Sequence, residues 1–253
     1  TIRHGEILNA DGSLYTANLR KAKATIVYHA GAEKKKYRPR FTYMGFRYME
    51  LSGAAYQPGM IRAYALHTEM KRTGYFSCEN PLVQKLYENQ VWGQKSNYVE
   101  VPTDCPQRDE RMGWTGDAQV FSPTAMYLED TYAFYAKYLH DMAKEQSVLG
   151  GKVPHVVPSC GIEDAACVWG DAACIIPWNL YLFYGDKSIL EDQFVSMKSW
   201  VDYITKVDGD NHGWRYVFHF GDWLALDNPV QGAEQVMGAT DEEFQQFLDA
   251  HRI

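Results

Sequence analysis

Residues 80–97 read NPLVQKLYENQVWGQKSN, and here the hydrophobic pattern of the chain changes from strand-like to helical. Asn80 is suited to cap a helix, and Pro81 suits its first turn, where a missing N–H leaves no bond unmade. The apolar residues that follow recur every three or four positions: Leu82, Val83, Leu86, Tyr87 and Val91. The stretch therefore predicts an amphipathic helix that separates a β region before it from an α region after it.

The region before this helix has the composition of short antiparallel strands. β-branched and aromatic residues concentrate in three segments, 23–30 (KATIVYHA), 40–53 (RFTYMGFRYMELSG) and 59–70 (GMIRAYALHTEM). The pair Asp11-Gly12 indicates a tight turn. We therefore predict a partial β-sandwich domain over residues 1–75.

The region after residue 76 is typical of a helical protein. Further helices are predicted at 122–146 with Ser122 as cap, at 171–185 ending at Gly185, at 188–206 and at 240–252. Helices of similar length, joined by loops that contain the charged and aromatic motifs, suggest helical hairpins arranged in a ring. The loops would then lie at one end of that ring. The fold class expected is mainly α, with an N-terminal antiparallel β portion.

Composition excludes several kinds of protein. The chain has 253 residues, 46% of them hydrophobic, and a formal net charge of −7, so it lacks the basic surface that nucleic acid binding needs. No apolar run is long enough to span a membrane. The five cysteines form no CxxC pair, which favours free thiols in a reducing compartment. No secretory signal opens the chain, so the cytoplasm is expected, with the periplasm as the alternative.

The most unusual segment is DCPQRDERMGWTGD, residues 104–117. It contains four carboxylates, two arginines and a tryptophan: Asp104, Asp109, Glu110, Asp117, Arg108, Arg111 and Trp114. A structural ion-pair cluster accounts for the charges, whereas a site for protons and a polar ring also accounts for the prolines and glycines between them. Cys105 has the alternative of acting as a nucleophile, but without a nearby histidine a packing role is favoured.

Glycosidic bond hydrolysis requires this kind of chemistry. A protonated carboxyl group stands beside the leaving oxygen, and a second carboxylate acts from the other face of the sugar. Trp114 and Asp117 are expected to raise the pKa of Glu110, as an apolar neighbour and a like charge do. The aromatic share of 14% suits a sugar site, since indole and phenol rings stack on pyranose faces.

A resemblance narrows these alternatives. PTDCPQRDERMGWTGDAQ (102–119) closely resembles the catalytic motif of α-L-rhamnosidases of glycoside hydrolase family 78. Residues 1–28 and 37–53 resemble the β domain that precedes the barrel of that family. The segments VPHVVPS (153–159), VWGDAACIIPW (168–178) and HFGDWLALDNP (219–229) resemble its later loops, in the same order.

The resemblance implies a fold, a reaction and a set of site residues. Residues 76–253 would form the N-terminal part of an (α/α)6 barrel that hydrolyses terminal α-L-rhamnose from glycosides with inversion, without a cofactor or metal. Glu110 would be the general acid. The substrate-binding residues implied are Asp104, Arg108, Trp114, Asp117, Trp169, Asp171, Asp222 and Trp223.

Plainer roles remain open for some of these residues. Trp169 or Trp223 can be a core aromatic, and Asp171 can cap the helix that follows it. The resemblance places the general base on a glutamate well beyond residue 253. An incomplete ring would expose apolar helix faces, which predicts oligomerisation, partner binding or marginal stability; a homo-oligomer is one of these expectations. The alternative function is a non-catalytic module that binds rhamnose-containing glycosides.

Overall fold

The N-terminal region is built from short antiparallel strands. The computed structural model describes residues 1–33, 36–209, 213–214 and 218–221. In a three-stranded sheet, β1 (Ile2–Gly5) lies between β4 (Thr25–Ile26) and β5 (Tyr48–Leu51). β2 (Ile7–Leu8) and β3 (Leu14–Tyr15) form a separate hairpin. The predicted turn is confirmed, since the N–H of Gly12 donates to the carbonyl of Asn9 at 3.0 Å.

The strand content is lower than predicted. Of residues 40–53 only β5 forms a strand, of residues 23–30 only β4 does, and residues 59–70 form none. The prediction of a strand at 59–70 is therefore wrong. Strand-favouring residues form a strand only where the edge of another strand is available for pairing. This mostly exposed segment makes one backbone hydrogen bond to the short hairpin at residues 98–102, from the N–H of Thr68 to the carbonyl of Tyr98 at 2.8 Å.

The first helix is the one predicted from the sequence. In α1 (Pro81–Asn97), the side-chain oxygen of Asn80 accepts from the N–H groups of Leu82 and Val83 at 3.0 and 3.4 Å. The buried side chains of α1 are Val91 and Gln94, near its C-terminal end. The short hairpin of β6 (Tyr98–Val99) and β7 (Val101–Pro102) follows directly.

The predicted helix at 122–146 is two helices, α2 (Thr115–Leu128) and α3 (Tyr132–Val148). Ser122 is not a cap, because it lies inside α2 together with Pro123. Pro123 has no N–H for the carbonyl of Gln119, four residues earlier. The hydroxyl of Ser122 donates to that carbonyl at 2.8 Å instead, so the helix continues through the proline.

Two more helices complete the described core. A 3₁₀ turn (Trp169–Asp171) leads into α4 (Ala172–Tyr184), which ends as predicted at Gly185 with φ of +70°. α5 (Ser188–Asp208) extends two residues beyond its predicted end, and the helix predicted at 240–252 lies outside the described residues. α4 packs against α2, α3 and α5. The largest fully buried side chains of these helices include Tyr135, Tyr138, Met142, Ile176, Leu180 and Trp200.

Several helices also carry apolar side chains on their exposed faces. The two most exposed on each of α1, α2, α4 and α5 are Leu82 and Trp92, Val120 and Tyr127, Trp178 and Leu182, and Phe194 and Val195. The exposed apolar faces expected from the sequence are thus present, and the homo-oligomer stays a prediction. None of the described helices is long and apolar enough to cross a membrane.

Candidate active site

The acidic motif forms a closed loop between β7 and α2. Asp104 closes it, because its N–H donates to the carbonyl of Met112 at 3.1 Å while its carboxylate accepts from the N–H of Met112 at 3.0 Å. The side chain of Asp104 is only 5% exposed. The loop therefore presents its charged residues from a backbone that is fixed by hydrogen bonds at both ends.

Glu110 lies between two guanidinium groups. Arg108 Nη2 is 2.6 Å from Glu110 Oε2 and 3.4 Å from Asp104 Oδ2, so one arginine bridges two carboxylates. Arg20, from the N-terminal region, approaches the same Oε2 atom at 3.2 Å. The Glu110 side chain is 20% exposed, which leaves its carboxylate accessible from one side. Asp104, Arg108 and Glu110, predicted to act together, are thus in direct contact.

Asp117 lies in the first turn of α2 and has an altered acidity. Desolvation raises the pKa of Asp117 to about 6, and the negative charges of Asp104 and Glu110 act in the same direction. Its residue surface is nevertheless exposed, so Asp117 is accessible to a ligand. Asp117 is thus a second carboxyl group of the motif whose surroundings favour the protonated form.

Aromatic rings form one wall beside these carboxylates. Trp114 precedes α2 and lies nearly parallel to His155, with ring centroids 6.3 Å apart and an angle of 16° between the planes. Phe220 contacts His155 at 4.9 Å and Trp169 at 4.1 Å, between centroids, and so links the two tryptophans. Trp114 and Trp169, both half-buried, therefore belong to one aromatic cluster.

Close packing of Trp169 depends on Gly116. A Cβ atom added at Gly116 would lie 2.7 Å from the indole of Trp169, well inside a normal contact. The glycine in the middle of the motif thus allows Trp169 to lie against the first turn of α2. This contact connects the acidic loop to the 3₁₀ turn that carries Trp169 and Asp171.

The remaining predicted residues have different outcomes. Asp171 makes no capping hydrogen bond to α4; its Oδ1 accepts from the indole N–H of the buried Trp200 at 2.8 Å. This corrects the alternative of a helix cap, while its contact with substrate stays a prediction. Asp222 and Trp223 lie outside the described residues.

Cys105 has the environment of a structural thiol. It is 5% exposed, and desolvation together with a hydrogen bond to Asp104 raises its pKa to about 11. A thiol of this kind carries little thiolate near neutral pH, so the packing role is favoured over the nucleophile.

A metal ion has no evident place in the loop. Asp104, Cys105 and Glu110 offer ligand atoms within 4.8 Å of one another. The guanidinium of Arg108 already occupies the space between the two carboxylates, however, at 3.4 and 2.6 Å. The arrangement is therefore that of an ion-pair network.

Three residues from the N-terminal region were not foreseen as parts of the site. Arg20 contacts Glu110, the carbonyl of Tyr43 accepts from Arg111 Nη1 at 3.1 Å, and the N–H of Gly45 donates to the carbonyl of Pro106 at 3.2 Å. The side-chain contacts join residues 68 to 90 positions apart, and no local pattern indicates them. The resemblance of residues 37–53 to a β domain was the only sequence signal that associated this region with the acidic loop.

Comparison with known proteins identifies the family. Residues 71–244 match the model described as bacterial alpha-L-rhamnosidase 6 hairpin glycosidase domain, and residues 1–67 match the bacterial alpha-L-rhamnosidase concanavalin-like domain. The chain belongs to the bacterial α-L-rhamnosidase family. The predicted family is confirmed, and so is the predicted fold class, a mainly helical six-hairpin domain with an N-terminal antiparallel portion.

Individual members of the α-L-rhamnosidase family are similar over most of the chain. An α-L-rhamnosidase from Streptomyces avermitilis is 42% identical over 88% of this chain, which spans 22% of that protein. The structure of the native Aspergillus terreus enzyme has a TM-score of 0.79 at 40% identity, covering 90% of this chain and 27% of that one. The structure of the Streptomyces avermitilis enzyme complexed with L-rhamnose has a TM-score of 0.73 at 40% identity, and the match covers 81% of this chain and 20% of that one. The chain thus spans about a quarter of the length of these α-L-rhamnosidases.

Proposed function

We propose that the chain carries the acid and sugar-binding part of an α-L-rhamnosidase site that hydrolyses terminal α-L-rhamnose from glycosides. The observation that carries this proposal is the contact of Glu110 with Arg108 and of Arg108 with Asp104, at 2.6 and 3.4 Å, in a chain of this family. Asp117 and Trp114 follow in the same turn of the chain, so polar and apolar groups for a deoxy-sugar lie side by side.

Each group has a role that follows from its chemistry. A rhamnose hydroxyl can donate to the carboxylates of Asp104 and Asp117 and accept from Arg108. The indole of Trp114 offers an apolar face for the sugar ring or its methyl group. Glu110, partly exposed beside them, would donate a proton to the glycosidic oxygen as the leaving group departs.

The ion pairs of Glu110 suggest how substrate prepares the acid. Arg108 is shared between Glu110 and Asp104, so a sugar hydroxyl that accepts from Arg108 competes directly with Glu110 for the same N–H groups. Binding of rhamnose would then weaken the ion pair between Arg108 and Glu110. Occupation of the sugar site is therefore expected to free the Glu110 carboxyl group to approach the glycosidic oxygen.

The proposed reaction inverts the configuration of the anomeric carbon. Inversion requires a second carboxylate about 6.5–9.5 Å from the acid, with a water between them. In the described part of the chain, Asp109 pairs with Arg20 and Asp117 lies on the sugar side, and we assign the base to neither. The chemistry uses side chains and water alone and needs no cofactor. We keep the cytoplasm as the proposed location.

The decisive experiment measures turnover and binding together. Hydrolysis of 4-nitrophenyl α-L-rhamnoside tests the base, because its leaving group departs with little protonation. Hydrolysis of methyl α-L-rhamnoside tests Glu110, because its leaving group needs a proton. For the latter substrate, Glu110→Gln is expected to lower kcat by about 10²–10⁴-fold. Glu88→Gln, a change at an exposed ion-paired glutamate of α1, is the control and should have no effect.

The results separate the two functions. Turnover that depends on Glu110 supports the enzyme. Saturable L-rhamnose binding by calorimetry without turnover of either substrate means that this chain holds the sugar-binding groups without a base and acts by itself as the non-catalytic binding module. A folded chain that neither binds rhamnose nor cleaves either glycoside would refute both.

A further inference from the structure

A basic groove adjoins the acidic loop on the side of the N-terminal region. It has a volume of about 1130 Å³, and its lining includes Lys36, Tyr37, Arg38, Arg40, Phe41 and Tyr43. This volume is large enough for a sugar residue and its neighbours, since ligand sites are typically about 300–1,000 Å³. We call it the basic groove.

The charge of the basic groove runs against that of the whole chain. Three cations, Lys36, Arg38 and Arg40, line it, although the formal net charge of the chain is −7. No carboxylate lines it, and none of the three forms an ion pair with any residue that the structure describes. Arg38 lies over the ring of Tyr64 at 5.8 Å, which holds its guanidinium without neutralising it. The groove therefore offers uncompensated positive charge to a ligand.

Aromatic side chains accompany these cations. Tyr37 is 54% exposed and stacks on Tyr28 with centroids 4.7 Å apart, so its ring is held in place while one side stays open. Phe41 is fully exposed, in a backbone conformation with φ of +58°. Exposed rings next to arginines are suited to a ligand that has both flat apolar faces and an anionic group. An acidic sugar has both.

Tyr43 connects the basic groove to the acid. Its carbonyl accepts from Arg111, whose guanidinium also lies 5.9 Å from the Tyr43 ring centroid. Burial raises the pKa of the Tyr43 hydroxyl, Arg111 opposes this and the negative charge of Asp104 adds to it, in keeping with a position of Tyr43 against the acidic loop. Arg111 directly follows Glu110 in the chain. Tyr43, which lines the groove, thus contacts the residue next to the proposed proton donor.

The position of the acid defines which part of the substrate the groove meets. A general acid protonates the oxygen that joins the two sugars, so the leaving sugar lies on the far side of that oxygen from the rhamnose. We infer that the basic groove binds an acidic leaving sugar, a uronate joined to the terminal rhamnose, through Arg38, Arg40 and Lys36. This inference rests on the proposed function and specifies its substrate class.

The test uses two disaccharides that differ in one group. α-L-Rhamnosyl-(1→4)-D-glucuronate carries a carboxylate where α-L-rhamnosyl-(1→4)-D-glucose carries a hydroxymethyl group. Calorimetry with the Glu110→Gln protein measures both affinities without turnover. We expect the uronate to bind about tenfold more tightly in 50 mM salt, which corresponds to one charge-assisted hydrogen-bonded pair. The preference should fall below about threefold in 0.5 M salt, because exposed charges are screened.

Variants locate the preference. Arg38→Gln with Arg40→Gln should reduce the preference to less than about twofold and leave the affinity for free L-rhamnose unchanged. The control, Arg3→Gln with Lys85→Gln, removes the same total charge from two exposed ion pairs elsewhere and should keep the preference. Circular dichroism verifies that each variant is folded.

Every outcome decides between the claims. Failure of the folded protein to bind free rhamnose overturns the proposed function. Equal binding of the two disaccharides, with rhamnose bound, overturns the acidic leaving sugar alone. A preference that survives Arg38→Gln with Arg40→Gln places the carboxylate elsewhere and overturns the assignment of the basic groove.

Discussion

Replacement of Gly116 by alanine tests the packing that holds the aromatic wall. The added Cβ would lie 2.7 Å from two atoms of the Trp169 indole, Cε2 and Nε1. Carbon atoms in good contact are about 3.5–4.0 Å apart, so the ring must move by about 1 Å. Gly116 is buried, and Phe220 lies 4.1 Å from Trp169 between centroids, so the indole has little free space.

The expected effect is a loss of stability and of sugar affinity. Overpacking of this kind destabilises by about 1–3 kcal/mol, which lowers Tm by roughly 2–12 °C for a chain of this size. A displaced Trp169 should also weaken L-rhamnose binding by about 2- to 10-fold, if a single aromatic contact of about 0.5–1.5 kcal/mol is impaired.

The matched control is the same substitution in another helix. Gly93 lies inside α1, and a Cβ there meets no atom within 4 Å. Gly93→Ala should therefore stabilise by about 0.5–1 kcal/mol, because alanine is the better helix former. Urea denaturation measures both changes, and rhamnose calorimetry measures the site. If both alanine variants gain stability, or if Gly116→Ala leaves both stability and binding unchanged, the close approach of Trp169 to α2 is refuted.

Three further changes test the acidity, the core and a helix end. Because the pKa of Asp117 is raised to about 6 in the folded chain, its ionisation opposes folding: stability from this group should be greatest below about pH 4 and decline towards pH 6. Urea midpoints across pH 4–7 should show this decline, and Asp117→Asn should abolish it. Trp200→Phe removes the 2.8 Å hydrogen bond to the half-buried Asp171 and should lower the free energy of unfolding by about 1–3 kcal/mol. Trp178→Phe, at a half-exposed indole, is the control and should have little effect. Thermal unfolding of the two variants measures the difference. Asn80→Ala removes the cap of α1 and should lower the free energy of unfolding by about 1 kcal/mol, and an unchanged urea midpoint would argue against the cap.

Local signals predicted much of the helical region. The cap at Asn80 and the left-handed Gly185 each determine a helix end through backbone geometry, so a few neighbouring residues suffice to predict them. The start of α2 was missed for a physical reason. A serine followed by proline is typical of a helix start, yet here the Ser122 hydroxyl supplies the bond that Pro123 cannot make. Only the folded backbone distinguishes the two arrangements.

Strands and long-range contacts were harder to predict. Residues 59–70 have strand-favouring composition but lack a partner strand, and composition does not reveal whether an edge is available. Within the site, Asp104, Arg108 and Glu110 were predicted because they are near one another in sequence. Arg20, 90 positions from Glu110, gives no local signal, and its contact depends on how the two regions pack.

The contacts of Arg20, Tyr43 and Gly45 with the acidic loop have a consequence for how this protein can be divided. The helical family model begins at residue 71, yet these three supports of the loop come from before that point. A helical unit excised at residue 71 would keep Glu110 and lose the partners that orient it. The two regions therefore match separate family models, but the acidic loop depends on both of them. A chimera that combines this helical region with another N-terminal region must keep compatible residues at positions 20, 43 and 45.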